Sequence, residues 1–110
     1  MRWGEVRWYR FRPPDKERPV LVLTRDSVLD VLGDVTAATI TSTVRGIPSE
    51  VLLTEADGMP NVCVVNLDHV VTVQKAKLGA LITTLGLAKT EQVRAALLFA
   101  LGFDPGTQSH

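Results

Sequence analysis

The sequence predicts a single α+β domain over residues 1–110, mainly β, in which short strands form a compact barrel or curled sheet and a C-terminal helix follows. Three observations predict it. Short apolar segments rich in β-branched residues recur as far as residue 84, turn residues separate them, and the last apolar segment has helical spacing. A chain of 110 residues that is 45% hydrophobic can bury one modest core.

The first half of the chain predicts three strands and a short helix. An alternating segment opens the chain, two consecutive prolines follow it, and the next, continuously apolar run is typical of a central strand covered on both faces. Asp26 is placed to cap the helix and Gly33 to end it. The predicted elements are strands over residues 4–11, 19–24 and 35–43 and a helix over residues 26–32.

The second half predicts further short strands and the terminal helix. The strands cover residues 49–54, 62–65, 69–73 and 79–84, and the turn-forming residues 66–68 separate the second from the third. Apolar residues with helical spacing then lead to Gly102; they are Val93, Ala96, Leu97, Ala100 and Leu101. Because Leu98 and Phe99 lie off that stripe, we expect the helix to bury a second face, either in a homodimer or in a second core layer of the monomer. Residues 104–110 are expected to form a flexible tail.

Composition argues against several classes of function. No apolar stretch is long enough to span a bilayer and no signal-peptide run follows Met1, so we expect a cytoplasmic protein without a membrane partner. The single cysteine, Cys63, excludes an internal disulfide and a CxxC metal site, and we expect neither a metal nor a cofactor. His69 and His110 are the only histidines. A ribonuclease that uses a pair of histidines is therefore not expected, and His69 is interpreted as structural.

The net charge is zero, but the charges are unevenly distributed. Residues 1–25 carry seven basic and three acidic side chains, and the remainder carries five basic and nine acidic ones. Six of the seven N-terminal cations are arginines, whose guanidinium groups bind phosphate and stack on bases. A basic face for a polyanion and a set of solvated strand charges both fit this pattern.

The second and third predicted strands suggest a candidate site. If they are antiparallel neighbours, the start of the second lies beside the end of the third, which brings Arg18 near residues 41–43. A guanidinium that faces hydroxyl groups at the rim of a sheet suits a phosphodiester. The alternative is that Arg18 is an ordinary cation at the start of a strand and that the threonines are strand formers.

Several segments, in order along the chain, resemble the MazF/PemK family of toxins. The resemblance covers nearly the whole sequence, and the ordered set is more specific than any one segment. The segments are GEVRW (residues 4–8), RPVLVLTRD (18–26), ITST (40–43), RGIPSEV (45–51), VNLDHVVTV (65–73), KAKLG (75–79) and LLFALG (97–102).

This resemblance implies an SH3-like small barrel of the CcdB/MazF plasmid-maintenance toxin type, with a C-terminal helix, assembled as a homodimer. It implies a sequence-specific, metal-independent endoribonuclease that cleaves single-stranded RNA by attack of the ribose 2′-hydroxyl, in messenger RNA or in loops of transfer or ribosomal RNA. Such a toxin inhibits translation and growth, and a cognate antitoxin, MazE-like or of another kind, neutralises it. The segment over residues 10–17 is shorter than in common members, so the recognised RNA sequence stays open.

The resemblance also implies which residues carry the chemistry. The arginine before the Pro-Val-Leu strand and the threonine closing the third strand form the catalytic pair, here Arg18 and Thr41. Because arginine stays protonated, we expect Arg18 to stabilise phosphate charge rather than act as a free base. RNA contacts are expected from seven further residues: Arg10, Arg12, Lys16, Glu17, Ser42, Thr43 and Arg45. For Glu17, a plain surface role is favoured. Trp3 and Tyr9 are candidates to stack on bases, and Trp8 is expected in the core.

Two other functions remain as alternatives. One is a non-catalytic toxin of the CcdB kind, which poisons gyrase by protein contact and needs no Arg18–Thr41 pair. The other is a barrel module that binds RNA, or serves a structural role, without cleaving it.

Overall fold

The fold of residues 1–12 and 17–103 is described by a computed structural model. It contains six strands, two α-helices and two 3₁₀ turns. The strands are β1 (Glu5–Arg10), β2 (Glu17–Val22), β3 (Asp34–Thr41), β4 (Glu50–Leu53), β5 (Cys63–Gln74) and β6 (Leu78–Thr84). The helices are α1 (Asp26–Leu29) and α2 (Leu87–Ala100), and the 3₁₀ turns are Glu55–Asp57 and Lys75–Lys77. The predicted tail over residues 104–110 lies outside the described residues.

All six strands belong to one antiparallel sheet. Its order is β4-β5-β3-β2-β1-β6, so β2 and β3 are the antiparallel neighbours that the candidate site requires. The mainly β fold with a C-terminal helix is confirmed. No backbone ladder within the described part of the chain joins β4 to β6, so the hydrogen-bonded sheet is open rather than a closed barrel.

The sheet divides the hydrophobic core into two clusters. Val20, Leu21 and Val22 of β2 are all fully buried, which confirms the prediction of a central strand covered on both faces. Leu21 packs in the cluster that includes Val93 and Ala96 of α2, whereas Val20 and Val22 pack in the cluster that includes Leu29 of α1. Because side chains alternate along a strand, Leu21 lies on one face of the sheet and Val20 and Val22 lie on the other.

The prediction of two separate strands over residues 62–65 and 69–73 is wrong, because β5 is one strand of twelve residues. Its partner β3 pairs Ala38 with Val70 but Thr39 with Asn66, so one step along β3 matches four along β5. The three extra residues, 67–69, form a bulge. Within it, the Leu67 amide donates to the Ser49 carbonyl at 2.9 Å, and the Leu67 side chain is buried. The residues that resemble a turn therefore bend the strand without ending it.

Other predicted boundaries shift as well, and the second strand runs over Glu17–Val22 rather than residues 19–24. Helix α1 ends at Leu29 rather than residue 32, although the amides of Val31 and Leu32 still donate to the Val28 carbonyl. Asp26 does not cap this helix; it is the first helical residue, and its carboxylate accepts the Trp3 amide instead. Strand β3 ends at Thr41 rather than at residue 43.

Helix α2 packs against β4 and β5 and buries one narrow stripe. Val93 and Ala96 are buried, and Leu97 and Ala100 pack against the same cluster. Beyond that stripe Leu98 and Phe99 are half-buried, and at the two ends of the helix apolar side chains are exposed: Leu87, Leu101 and Phe103. Among the described residues, no helix is both long and apolar enough to cross a bilayer.

Candidate functional site

The pairing of β2 with β3 brings Arg18 and Thr41 together. The ladder pairs Val20 with Thr39, and the same register carried two residues further sets Arg18 opposite Thr41. Side chains that lie opposite each other in an antiparallel pair share one face of the sheet. Accordingly, both residues line one cavity of about 410 Å³.

This cavity, the β2–β3 cavity, has a mixed polar and apolar lining and contains both signs of charge. Arg18 and Arg45 supply the cations and Glu50 a carboxylate, while Pro19, Phe11 and Ile40 supply apolar surface. The remaining lining side chains carry hydroxyl, amide or imidazole groups; they are Thr39, Thr41, Thr43, Asn66 and His69. Polar side chains around two guanidinium groups suit a phosphate ester better than an apolar ligand.

Glu50 holds the loop that carries Arg45. Its Oε1 accepts the backbone amides of Arg45 at 2.9 Å and Gly46 at 3.0 Å. Gly46 has φ +71°, in the left-handed region where glycine is favoured, so the chain can fold back around the carboxylate. At the start of the same loop, Thr41 Oγ1 accepts the Thr43 amide at 3.2 Å. The hydroxyl hydrogen of Thr41 is thereby left to donate to a ligand.

A second cavity, of about 230 Å³, lies on the other side of the same two residues. Arg18 and Thr41 line both cavities, together with Pro19 and Ile40. The second cavity also contains Ser42 and is more apolar; its other lining residues are Trp8, Met59, Pro60, Asn61, Val62 and Cys63. Burial and then the charge of Asp57 raise the pKa of the Cys63 thiol, which therefore stays protonated at neutral pH.

The other residues predicted to contact RNA are distributed over three cavities. Thr43 and Arg45 line the β2–β3 cavity and Ser42 the second one. Arg10 and Arg12 line neither; with Phe11 and Lys77 they form a third, shallow cavity. Arg10 also makes an exposed ion pair of 3.2 Å with Glu17, which fits a surface role for Glu17. Lys16 lies outside the described residues.

The aromatic residues do not follow the sequence prediction. Tyr9, expected to stack on bases, is buried and meets Phe11 edge to face, with 4.8 Å between ring centroids. Trp3, the other candidate, is partly buried against the core cluster below α2. Trp8, expected in the core, lines the second cavity, and Phe11 lines the β2–β3 cavity. Trp8 and Tyr9 lie next to each other on β1 and therefore face opposite sides of the sheet, both of which are covered: Val6 packs in the cluster with α2 and Tyr9 in the cluster with α1.

His69 is a residue of the cavity that the sequence interpretation missed. It is exposed, lines the β2–β3 cavity, and contacts Thr39 through its ring and its carbonyl. The signal available in the sequence was its position directly after Asn66-Leu67-Asp68, where a bulge re-aims the following side chain. In residues 1–12 and 17–103, no group of three or more histidine, cysteine or acidic side chains is arranged to hold a metal ion.

Comparison with known proteins identifies the family. The sequence model described as PemK-like, MazF-like toxin of type II toxin-antitoxin system matches residues 2–101. The chain is 39% identical over 103 residues to the probable endoribonuclease MazF2 of Mycobacterium tuberculosis, covering 93% of this chain and 99% of that protein.

Solved structures agree with this match. Toxin MazF-mt6 of Mycobacterium tuberculosis superposes with a TM-score of 0.83 and 34% identity over 91% of this chain and 98% of the other. A mycobacterial endoribonuclease in complex with its cognate antitoxin has the same TM-score at 26% identity, over 94% of this chain and 97% of the other. The chain therefore belongs to the PemK-like, MazF-like toxins of type II toxin–antitoxin systems.

Proposed function

We propose that this protein is a sequence-specific, metal-independent endoribonuclease toxin that cleaves single-stranded RNA by attack of a 2′-hydroxyl on the neighbouring phosphorus. One observation carries the proposal: a guanidinium, Arg18, and a hydroxyl, Thr41, line the same cavity next to a second arginine, Arg45. The relatives named endoribonuclease support the reaction type. Inhibition of translation and growth would follow from the loss of RNA.

The two central residues suit different parts of this reaction. A bond forms between the 2′-oxygen and phosphorus, the bond from phosphorus to the 5′-oxygen breaks, and the products are a 2′,3′-cyclic phosphate and a 5′-hydroxyl. Arg18, which stays protonated, donates hydrogen bonds to the non-bridging oxygens as negative charge develops there. Thr41 orients the phosphate through its Oγ hydrogen. Loss of one such preorganised donor typically lowers the rate about 10²–10³-fold.

The three cavities supply a path for an extended strand. The second cavity shares Arg18 and Thr41 with the β2–β3 cavity, which in turn shares Phe11 with the shallow cavity of Arg10 and Arg12. An RNA strand laid along this path meets an apolar pocket for a base, then the cleavage site, and then exposed cations. Single-stranded RNA suits it, because unpaired bases can leave the strand and stack on side chains such as Trp8 and Phe11.

Two partners complete the proposal. A homodimer would cover apolar side chains that the monomer leaves exposed on and after α2, such as Leu87 and Phe103, which are 78% and 66% exposed. A cognate antitoxin that carries an acidic or apolar segment would occupy the arginine-lined path and exclude RNA. Complexes of relatives with their antitoxins support the second partner. A stable monomer in sedimentation at micromolar concentration would rule out the homodimer.

The test is cleavage of a long RNA by the purified protein in the presence of EDTA, with the new 5′ ends mapped by sequencing. We expect cuts at a short recurring sequence, fragments that end in a cyclic phosphate, and no cuts by Arg18→Ala. The matched control is Arg94→Ala, which removes an exposed arginine of α2 that lines none of the three cavities and should cut like the parent. RNA binding without cuts would favour the binding module, and stalled gyrase without cuts the gyrase poison.

A further inference from the structure

His69 faces the proposed cleavage site because of the bulge in β5. Residues 67–69 are the three that β3 does not pair, and within them the Leu67 side chain points into the core while His69 is exposed. The imidazole lines the same cavity as Arg18 and Thr41. Three adjacent strands, β2, β3 and β5, thus bring a guanidinium, a hydroxyl and an imidazole to one surface.

Thr39 fixes the orientation of that imidazole. Its Oγ1 donates to the His69 carbonyl at 3.3 Å and lies 3.3 Å from His69 Nδ1. In the tautomer in which Nδ1 carries the hydrogen, the hydroxyl gives its one hydrogen to the carbonyl and accepts from Nδ1. In that tautomer of neutral histidine the other ring nitrogen, Nε2, is the unprotonated acceptor. Thr39 and Thr41 are two residues apart on β3, so this contact occurs on the face that carries the site.

None of the charged groups around the imidazole is as well placed as the imidazole to accept a proton in the cavity. They are Arg18 on β2, Arg45 in the loop after β3, Glu50 on β4 and Asp68 on β5. Neither arginine can accept a proton. The Glu50 carboxylate accepts two backbone amides of the loop, and the Asp68 carboxylate accepts the Ser49 hydroxyl. Imidazole is also the side chain whose ordinary pKa lies nearest to neutral pH.

We propose that His69 is the general base of the RNA cleavage proposed above, on which this inference rests. Nε2 takes the proton of the 2′-hydroxyl while the 2′-oxygen bonds to phosphorus. The bond from phosphorus to the 5′-oxygen breaks, and that oxygen takes a proton from water. The imidazolium then gives its proton to the hydroxide formed, so no co-reactant is consumed. Arg18 remains charged throughout and stabilises the phosphorane.

Single-turnover cleavage of one short RNA, measured from pH 5 to pH 9 with EDTA, tests the role. We expect the parent rate to rise about tenfold per pH unit on the acid side and to level off once the general base has lost its proton. His69→Gln should be slower by about 10²–10⁴-fold on the plateau and lack that titration, with little change in RNA affinity. His110→Gln, which changes the only other histidine, should keep the parent profile.

Two further variants separate chemistry from structure. Added imidazole should restore part of the cleavage by His69→Ala, which a purely structural histidine would not allow. Thr39→Val should keep the imidazole but lower the plateau, because the tautomer is no longer held. A His69→Gln profile that still levels off like the parent overturns the inference while the proposed function stands. A parent protein that makes no cuts overturns both, and unchanged thermal unfolding of the variants shows that the comparison concerns folded protein.

Discussion

Replacing Gly58 by alanine should destabilise the protein more than any other single methyl addition at a turn glycine. Gly58 ends the 3₁₀ turn Glu55–Asp57 with φ +93°, a conformation that costs a residue with a Cβ about 1–2 kcal/mol. It also lies against β6, where an added Cβ would come within 2.8 Å of Thr83 Cβ and closer still to its hydroxyl. That hydroxyl donates to the Asp57 carbonyl at 2.8 Å.

Both costs apply to the free energy of unfolding. Moving Thr83 away breaks a hydrogen bond with a net value of about 0.5–1.5 kcal/mol, so the total loss should be roughly 1.5–3.5 kcal/mol. Gly46→Ala is the matched control, because Gly46 also has a positive φ, +71°, but nothing lies within 4 Å of its added Cβ. Gly46→Ala should lower the free energy of unfolding only by the backbone cost of about 1–2 kcal/mol.

Urea unfolding at one fixed protein concentration measures the difference. A third variant, Gly58→Ala with Thr83→Ala, removes the obstructing hydroxyl and should be less destabilised than the sum of the two single changes. If Gly58→Ala and Gly46→Ala lose the same free energy, the close approach of Gly58 to β6 contributes nothing and the reasoning is wrong. The result also bears on the site, since the residues that follow Gly58 form a wall of the second cavity.

Three more predictions concern the cavities. Thr41→Val, which keeps a β-branched side chain, should lower single-turnover cleavage about 10²-fold and leave the unfolding midpoint unchanged; an unaltered rate would remove Thr41 from the chemistry. Arg45→Ala should raise KM roughly tenfold with little change in kcat, and Arg45→Lys should recover part of it, whereas a drop confined to kcat would contradict a binding role. Cys63, whose pKa is raised by burial and by Asp57, should react with iodoacetamide more slowly at pH 8 in the folded protein than in urea, as read by mass spectrometry. The same shift predicts that folding stability falls as the pH rises above the thiol's ordinary pKa, and that Cys63→Ala removes this dependence.

The placement of Arg18 beside Thr41 could be derived from sequence because it depends on a short-range fact. The sequence supplies two strand segments, and if they pair as antiparallel neighbours the start of one meets the end of the other. The ladder between β2 and β3 has no irregularity, so counting from either side gives the same partners. The prediction of a doubly covered β2 succeeds for a similar reason, since a continuous apolar run can be satisfied only with core on both faces.

Prediction from sequence fails where a strand is covered on both faces or interrupted by a bulge. Alternation holds along β1, but Tyr9 packs in the cluster that includes Leu29 of α1, so the face that carries Tyr9 is buried as well. The bulge of three residues in β5 resembles a turn in sequence. The spacing of apolar residues cannot distinguish a turn from a bulge, because both interrupt the alternation and both use the same polar residues.

The irregular positions are also the ones that add chemistry to the site. A regular β5 would continue the alternation through residues 67–69 and pair each of them with β3, leaving no unpaired segment beside the cavity. The bulge instead buries Leu67 and exposes His69 next to Thr39. The regular pairing of β2 with β3 therefore positions Arg18, which in the proposed reaction stabilises the phosphate charge. The proposed proton acceptor, His69, is instead positioned by the three unpaired residues of β5. Deleting Asp68 and His69 tests this division, because the buried Leu67 is kept and the parity of β5 is preserved. The shortened protein should fold and bind RNA through Arg18 and Arg45 but lose the pH-dependent step, and cleavage with the parent pH profile would refute it.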